Sequence, residues 1–499
     1  MRILSLICLC GGAILFSACT IHPEPLTGDG NHARVEDDLA ALFRDQEPLR
    51  GPLSLDEAVA RGLSYNLDHR LKLMEEAVAH GQLEVANMRL LPDVVSSYST
   101  YMRNNADSTY NRARTTTSIS SDRHIRPADL TVSWNVLDFA IGYVRAHQQG
   151  DMALMVEERR RSVIHSIVND TRRAYWRAVA AERALAQLGH TLEQVRVALD
   201  QAQARVDERV GAPLDALTYQ KDLLVTLREL ETRSRQLVEA RTELAVMINI
   251  HPGTDFTLAD AASGADAPEM PEMSLDVRDL ELAALHNRSE LRSEAYQLRS
   301  NQREARIAIL EMIPGLSFSP GINYTSDSYK LHDSWYDASV GLSWNLINLA
   351  RSPRRRALVA SQIDLSETRR LALSMAVISQ VNIAKLRFDH ALSDYRLTRR
   401  LASVNAQIAD RLSAGAQART VGQASRIQGE VRSFLSNLQR DMAYADMQSA
   451  FGALFASIGV DPLPGPIDAD SIAALASAVA EVQARWQQGD FGTPEPSQP

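Results

Sequence analysis

The sequence predicts a mainly α-helical protein that contributes strands to a membrane β-barrel. Three observations lead to this prediction: a composition suited to long helices, an internal repeat, and four short segments in which apolar and polar residues alternate. The chain has 499 residues, of which 45% are apolar and only 6% are aromatic. A chain rich in Ala, Leu, Arg, Gln and Glu and poor in aromatic rings favours long helices packed side by side.

The N-terminus has the pattern of a secretory signal. Arg2 precedes an apolar stretch over residues 3–16, which is too short to span a membrane, and the small residues Ser17 and Ala18 follow. Cys19 directly after them resembles the cleavage box of bacterial lipoproteins. The resemblance implies removal of residues 1–18 and acylation of Cys19, whereas an ordinary signal followed by a chance Cys is the alternative.

Charge and motif content exclude several classes of protein. The net charge of −9 argues against a nucleic-acid partner. The His residues are scattered without metal-ligand spacing, and the sequence has no Gly-rich phosphate loop and no nucleophile elbow. We therefore expect no catalytic site, no metal and no cofactor. Beyond the signal there is no run of 18 apolar residues, so any membrane crossing is expected to be made by strands.

The two halves of the chain resemble each other. Leu91-Pro92 recurs as Ile313-Pro314 at a spacing of 222 residues, and Trp134-Asn135 recurs as Trp344-Asn345 at a spacing of 210. A 12-residue length change therefore lies between the Pro and the Trp. The predicted organisation is a lipoprotein signal at 1–18, an N-terminal linker at 19–51, a first helix–strand–strand–helix repeat at 52–252, an inter-repeat linker at 253–273, a second repeat at 274–462, and a C-terminal helix with a disordered tail at 463–499.

Each half begins with a helix and continues with strands. Residues 54–90 carry apolar side chains at helical spacing, and Pro92 ends that pattern. In the second half, residues 316–324 and 337–346 then alternate between apolar and small or polar side chains, as β-strands with two different faces do. Residues 130–136 repeat this alternation in the first half. Residues 94–103 alternate less cleanly, so their outward face is assigned from the repeat.

A long helix follows each predicted strand pair. The sequence stays helix-like for about 65 residues until Gly211 or Gly422, and a return helix of about 35 residues comes next. At about 1.5 Å per residue, the long helix extends roughly 100 Å. No globular domain needs such a rod, whereas a conduit across the periplasm does.

Four strands of about ten residues have the length and the two faces of outer-membrane barrel strands. Four strands cannot close a barrel, and open sheet edges are not tolerated in lipid. Several protomers must therefore pool their strands, and a trimer would supply twelve. Trp134 and Trp344 stand near the strand ends that lead into the long helices. Aromatic rings there would mark the interface on the periplasmic side of the outer membrane. Plain packing at the junction between strands and helices is the alternative.

Taken together, these features resemble the TolC-like outer membrane factors. The matching segments are 53–58 with Asn66, 90–93, 133–138, and their counterparts around Asn287, 313–315 and 343–346. The resemblance spans nearly the whole mature chain. It implies a homotrimer with a twelve-stranded β-barrel, four strands per protomer, continued by a periplasmic α-helical barrel. It also implies an equatorial region that takes in residues 253–275 and a C-terminal helix near 468–487.

The same resemblance assigns partners and tip residues. It implies docking to a periplasmic adaptor and an inner-membrane pump through the turns of the two helical hairpins. The matching tip residues are Val210, Gly211, Val421, Gly422 and Ser425. Ordinary helix-breaking turn residues are the alternative. Well-known members place aspartates six and nine residues beyond the second Gly, where this chain has Gln428 and Val431. The candidates for a periplasmic constriction here are Asp215, Arg426, Gln428 and Glu430, and the sign of its charge stays open.

The leading hypothesis is therefore an outer-membrane, lipid-anchored channel subunit of a tripartite efflux system that exports small molecules. Within the same family, the outlet of a type I protein-secretion system is the second hypothesis. From a different class comes a non-conducting structural lipoprotein that spans the periplasm, which the two-faced strands disfavour. A catalytic lipoprotein is disfavoured by the absence of site chemistry. The sequence does not identify the transported substrate, because the substrate selectivity of a passive channel resides largely in the pump that it serves.

Overall fold

The computed structural model describes residues 24–44, 46–208, 213–261, 276–463 and 471–488. Its helices are α1 Gly28–Leu42, α2 Leu55–Tyr65, α3 Leu67–Met88, α4 Val136–Asp207, α5 Pro213–Met247, α6 Val277–Asn287, α7 Ser289–Leu310, α8 Leu346–Gln417, α9 Gln423–Ile458 and α10 Ile472–Gln487. Its strands are β1 Asp93–Tyr98, β2 Tyr101–Met102, β3 Asp107–Asn111, β4 Thr116–Ser121, β5 His124–Ile125, β6 Ala128–Asn135, β7 Gly315–Tyr324 and β8 Ser334–Ser343. The prediction of a mainly helical protein with a small β region is confirmed.

The predicted helix over residues 54–90 is in fact two helices that meet at Asn66. The backbone of Asn66 is extended, with φ −63° and ψ 127°, and its side chain accepts hydrogen bonds from the N–H groups of Asp68 and His69. An Asn in this role starts a new helix, because it satisfies amide donors that would otherwise have no partner. In the second half, α6 and α7 meet at Arg288, whose backbone is similarly extended, with φ −63° and ψ 123°, but whose side chain does not cap α7.

One buried core joins α2, α4 and the C-terminal helix α10. Tyr175 of α4 is fully buried there, and its hydroxyl donates to Asp260 at 2.6 Å and lies 3.1 Å from the carbonyl oxygen of Leu53. Leu53 also forms a parallel bridge with Leu258. Residues from both ends of the chain are thereby fastened around the middle of α4. The helix predicted near 468–487 is present as α10, and the part of 253–275 beyond Ala261 lies outside the described residues.

A four-stranded antiparallel sheet in the order β1-β6-β7-β8 stands above the helices. The pairing of β6 with β7, which places Leu130 opposite Ile322 and Trp134 opposite Phe318, joins the two halves of the chain. Strands were predicted as far as 136 and 346, but they end at Asn135 and Ser343. The reason is that the side chains of Asn135 and Asn345 cap the two long helices, each accepting from two backbone amides.

The first half contains a hairpin extension that accommodates the predicted length change. Beyond β1 and β6 the chain continues as the short pair β2–β5 and then the hairpin β3–β4. The corresponding connection in the second half consists only of residues 325–333. The two connections touch, because the amide of Asp122 donates to Asp327 at 3.1 Å and the amide of Ser328 donates to Asp122 at 2.6 Å.

The helices α4 and α8 are each 72 residues long, which corresponds to about 110 Å. The return helices α5 and α9 have 35 and 36 residues and pack against them. By length and composition, α8 contains an apolar stretch that could cross a membrane, with a mean hydropathy of 1.2. Only 22% of that stretch is buried in the chain, and the 72 residues of the helix far exceed the about 20 that a bilayer needs.

A seam of ion pairs connects α4 of the first half to α7 of the second half. Asp151 is only 1% exposed and accepts a hydrogen bond from Arg299 at 2.7 Å and another from Arg303. One heptad further along α4, the buried Glu158 pairs with Arg292 at 2.7 Å. Burial raises the pKa of Glu158, and the neighbouring guanidinium groups act in the opposite direction. Because each carboxylate faces its own arginines, the seam fixes the register between the two halves.

We expect Asp151→Asn to destabilise the protein by about 2–3 kcal/mol, because it leaves the positive charges of Arg299 and Arg303 without their partner. This is below the about 3–5 kcal/mol typical of a fully buried pair, since the Arg299 side chain is 46% exposed. Thermal unfolding followed by circular dichroism measures the change. Asp200→Asn, at an exposed position of the same helix, is the control. Equal unfolding temperatures for both variants would show that the seam does not contribute to stability.

Candidate functional site

The four-stranded sheet has one apolar face, and this face is exposed. Cross-strand pairs on it include Leu316 with Leu342 and Phe318 with Val340. Val340 is 71% exposed and Leu342 is 73% exposed. A contiguous exposed apolar surface of this kind indicates contact with lipid or with another protein, because water does not solvate it favourably.

The opposite face of the sheet is small, polar and acidic. It carries Asp93, Asp129 and Asp337, whereas the four strands contain no Lys and no Arg. The hydroxyl of Ser97 donates to Asp129. Gly321 lies directly opposite Asp337, and a Cβ atom at Gly321 would approach a carboxylate oxygen of Asp337 to 2.7 Å. The absence of a side chain at this position therefore leaves room for the carboxylate on the polar face.

Aromatic side chains stand at both ends of the apolar face. At the end near the helices, Trp134 makes an edge contact with Phe139 at 5.6 Å, and the indole N–H of Trp344 donates to the carbonyl of Met312 at 3.0 Å. Both Trp side chains are exposed, at 42% and 52%. The opposite end carries three exposed tyrosines that the sequence analysis did not single out: Tyr98, Tyr324 and Tyr336.

The sequence contains one signal that could have identified these tyrosines, which is the even spacing between Tyr336 and Trp344. The two residues are eight positions apart, so they share a face, and about 27 Å of strand separates them. At the tilt of about 35–45° that barrel strands have, this length spans about 20 Å across the membrane, somewhat less than the roughly 25 Å apolar band that aromatic residues border in outer-membrane proteins.

The turn between α8 and α9 is a compact loop, and its tight backbone contacts are not at Gly422, the Gly that was predicted as a tip residue. Gly422 caps α9 with φ −70° and ψ 150°, a conformation open to any residue, and a Cβ atom there would meet nothing within 4 Å. The left-handed residue is instead Arg419, with φ 58°. The close approach is at Gly415, where a Cβ atom would come within 2.7 Å of the Val421 side chain. The amides of Thr420 and Val421 both donate to the carbonyl of Gly415.

The predicted constriction residues near this turn form one ion pair and one neutral group. Arg426 and Glu430 pair across one turn of α9, so their charges offset each other. Gln428 and Ser425 are exposed, whereas Val431 is buried. Asp215 is exposed in the first turn of α5, and no contact with the Arg426 group is present among the described residues. Val210, Gly211 and Cys19 lie outside the described residues.

Two oppositely charged grooves flank α9, and the sequence analysis did not detect either. A cavity of about 570 Å³ is lined by four acidic residues and two arginines: Glu229, Glu239, Asp394, Asp446, Arg177 and Arg233. Burial raises the pKa of Asp446, while Arg177 acts to lower it and Asp394 to raise it. A second cavity of about 630 Å³ includes Arg183, Arg399, Arg440 and Asp441. Each groove draws residues from at least three helices, so no local motif marks it.

No protein-family model matches the chain, and a sequence comparison with curated proteins finds no match. Solved structures do match. The Campylobacter jejuni CmeC outer membrane channel is 12% identical, with a TM-score of 0.63 over 93% of this chain and 97% of that one. The Neisseria gonorrhoeae MtrE outer membrane channel, in its open state, is 12% identical, with a TM-score of 0.63 over 81% and 88%. The outer-membrane channel OprN is 15% identical, with a TM-score of 0.62 over 81% and 89%.

The chain therefore has the fold of outer-membrane channel proteins. The resemblance to the TolC-like outer membrane factors is confirmed at the level of the single chain, which is mainly helical with a small sheet region. The three matched structures are described as outer-membrane channels.

Proposed function

We propose that this protein is an outer-membrane channel subunit of a tripartite efflux system, which exports small molecules delivered by an inner-membrane pump through a periplasmic adaptor. The observation that supports this most directly is the two-faced sheet: an exposed apolar face, an acidic polar face, and two 72-residue helices leading away from it. A sheet with these faces suits a barrel wall between lipid and water.

The proposal requires a homotrimer. Strands β1 and β8 are the edges of the sheet, and neither has a further strand partner among the described residues. Three protomers would join these edges into a closed twelve-stranded barrel, which leaves no edge in lipid. The helices also offer uncovered apolar side chains for such contacts. Exposed examples on α3 are Leu71, Met74 and Val78, and exposed examples on α8 are Leu371, Met375 and Leu386.

In this assembly the acidic face of the sheet would line the lumen and attract cations. We expect the purified protein to conduct in planar bilayers with a preference for cations over anions. The double variant Asp129→Asn with Asp337→Asn should lower the cation-to-anion permeability ratio at least about threefold, because it removes two of the three carboxylates on that face. Reversal potentials in asymmetric salt measure this ratio.

Ser339→Ala, which changes the same face without changing its charge, is the matched control for the permeability measurement. A protein that forms no pore would contradict the channel proposal and favour a non-conducting structural lipoprotein. An unchanged ratio in a conducting double variant would show that this face does not line the lumen.

The turn after α8 is proposed as an adaptor-docking tip. It lies at the far end of a helix about 110 Å long, so it is too distant to serve the sheet. Val421 and Gly422 belong to this turn, Ser425 lies in the first turn of α9, and Gly422 and Ser425 are exposed. Because the space around Gly422 is open, another chain could approach its backbone closely.

We expect Gly422→Glu to abolish transport while trimer formation and outer-membrane localisation persist. The substitution adds bulk and charge to a small contact surface, and each added 1.4 kcal/mol weakens docking about tenfold. Gly422→Ser should retain transport, because a small N-cap residue fits there. Drug susceptibility and heat-resistant trimer on a gel are measured together, and Gly211→Glu is expected to behave in the same way.

Gly415→Val is the control for a change that disturbs the turn itself. The new side chain would collide with Val421 and should reduce the amount of trimer. Normal susceptibility of the Gly422→Glu variant with intact trimer would refute docking at this tip. Loss of trimer in that variant would show that Gly422 has a structural role. Compensating substitutions in the tip of the adaptor should restore transport.

A lipid anchor at Cys19 is part of the proposal, and it rests on the signal-like N-terminus. Mass spectrometry of the mature N-terminus is expected to find an acylated Cys19. A mature chain that begins at another residue would refute it. Cys19→Ser should still assemble, because a trimer held by twelve strands depends little on acyl chains worth about 0.8 kcal/mol per buried methylene.

A further inference from the structure

The hairpin extension, defined as residues 103–126, carries an unusual charge. It contains five Arg and only two Asp, and it has no Lys and no Glu, in a chain whose net charge is −9. The shorter connection of the second half, residues 325–333, contains two Asp and one Lys. The positive charge is therefore specific to the extension and is not a property of both connections.

The acidic groups of the extension are already engaged. Asp107 pairs with Arg103 at 3.0 Å, and Asp122 accepts the amide of Ser328. By contrast, Arg112, Arg114, Arg123 and Arg126 are exposed, and none of them forms an ion pair within the described residues. Four guanidinium groups are thus available to an external anion.

The register of the strands places part of this charge beside the apolar face. Tyr98 is opposite Ala128, and Tyr101 is opposite Ile125, so the same register continues from β1–β6 into β2–β5. Arg126 lies two positions before Ala128 and therefore falls on the face that carries Tyr98 and Leu130. Charged arginines thus begin where the exposed apolar band ends, while Arg112 and Arg114 occupy the hairpin tip.

We propose that the hairpin extension binds the phosphate groups of lipids in the outer leaflet of the outer membrane. The inference rests on the proposed function, which puts the apolar face in the membrane and the extension outside it. Guanidinium groups bind phosphate with paired hydrogen bonds, and basic residues beside a membrane surface strengthen its contact with anionic headgroups. The exposed Tyr98 and Met102 beside Arg126 favour a lipid over a soluble anion, because they supply an apolar contact for acyl chains.

The test measures binding of diphosphorylated lipid A to the full-length trimer in detergent micelles by native mass spectrometry. The triple variant Arg112→Gln, Arg114→Gln and Arg126→Gln should bind lipid A roughly a hundredfold more weakly. The control triple variant Arg278→Gln, Arg369→Gln and Arg370→Gln removes three exposed arginines from helices and should bind normally. Phosphatidylcholine should bind weakly to all three proteins, and monophosphorylated lipid A should bind less well than the diphosphorylated form.

Three outcomes would overturn the inference: equal lipid A binding by the hairpin variant, an equal loss in the control variant, or displacement of lipid A by millimolar inorganic phosphate. The last result would identify a site for free anions. Conductance in bilayers of phosphatidylcholine alone is measured on the same preparations. A conducting wild-type protein without preference for lipid A would refute this inference and leave the proposed function intact, whereas absence of conductance would refute the proposed function.

Discussion

The pairing of β6 with β7 is the contact on which the rest of the structure depends. It is the point where the last strand of the first half meets the first strand of the second half. Because Asn135 and Asn345 start the two 72-residue helices directly below the sheet, the strand register also sets where those helices begin. The ion pairs of Asp151 and Glu158 continue the same alignment further down, between α4 and α7. A shift of one residue in the sheet would exchange its apolar and polar faces and misalign these ion pairs.

Charge is distributed by position along the molecule. The polar face of the sheet is acidic, the hairpin extension above it is basic, and the two grooves beside α9 have opposite signs. The middle of the molecule holds a buried cation, Arg172, whose pKa burial lowers to about 10. Its guanidinium donates to Gln448 and to Gln483, so it ties α10 to α4 and α9, while the charge of Asp56 acts to raise its pKa. Uncompensated charges on surfaces are available for ligands, whereas the buried guanidinium of Arg172 is satisfied by hydrogen bonds inside the protein.

Periodicity in the sequence predicted most of the elements, and their ends were the main errors. The break at Asn66 and the strand ends at Asn135 and Ser343 share one cause. In each case an Asn side chain, that of Asn66, Asn135 or Asn345, caps a helix, a local hydrogen bond that apolar spacing does not record. Gly422 was predicted as a tip residue, with an ordinary helix-breaking turn residue as the alternative. Its backbone is ordinary, and the tight approach occurs at Gly415. Only the packed turn shows which Gly is constrained, since several lie near the loop in sequence.

The sequence by itself determined the helical character of the chain, the long rods and the two faces of the later strands, because periodicity of side chains directly reports which face is buried or wet. It also pointed to the tip residues and to the aromatic residues at one end of the sheet. Only the tertiary structure decided the strand order, the Asp151 seam and the grooves beside α9. The β6–β7 pairing and the Asp151 seam join residues separated by about 150 residues or more, and each groove beside α9 draws on at least three helices. Such contacts arise from the way whole helices and strands pack, and no local pattern encodes them.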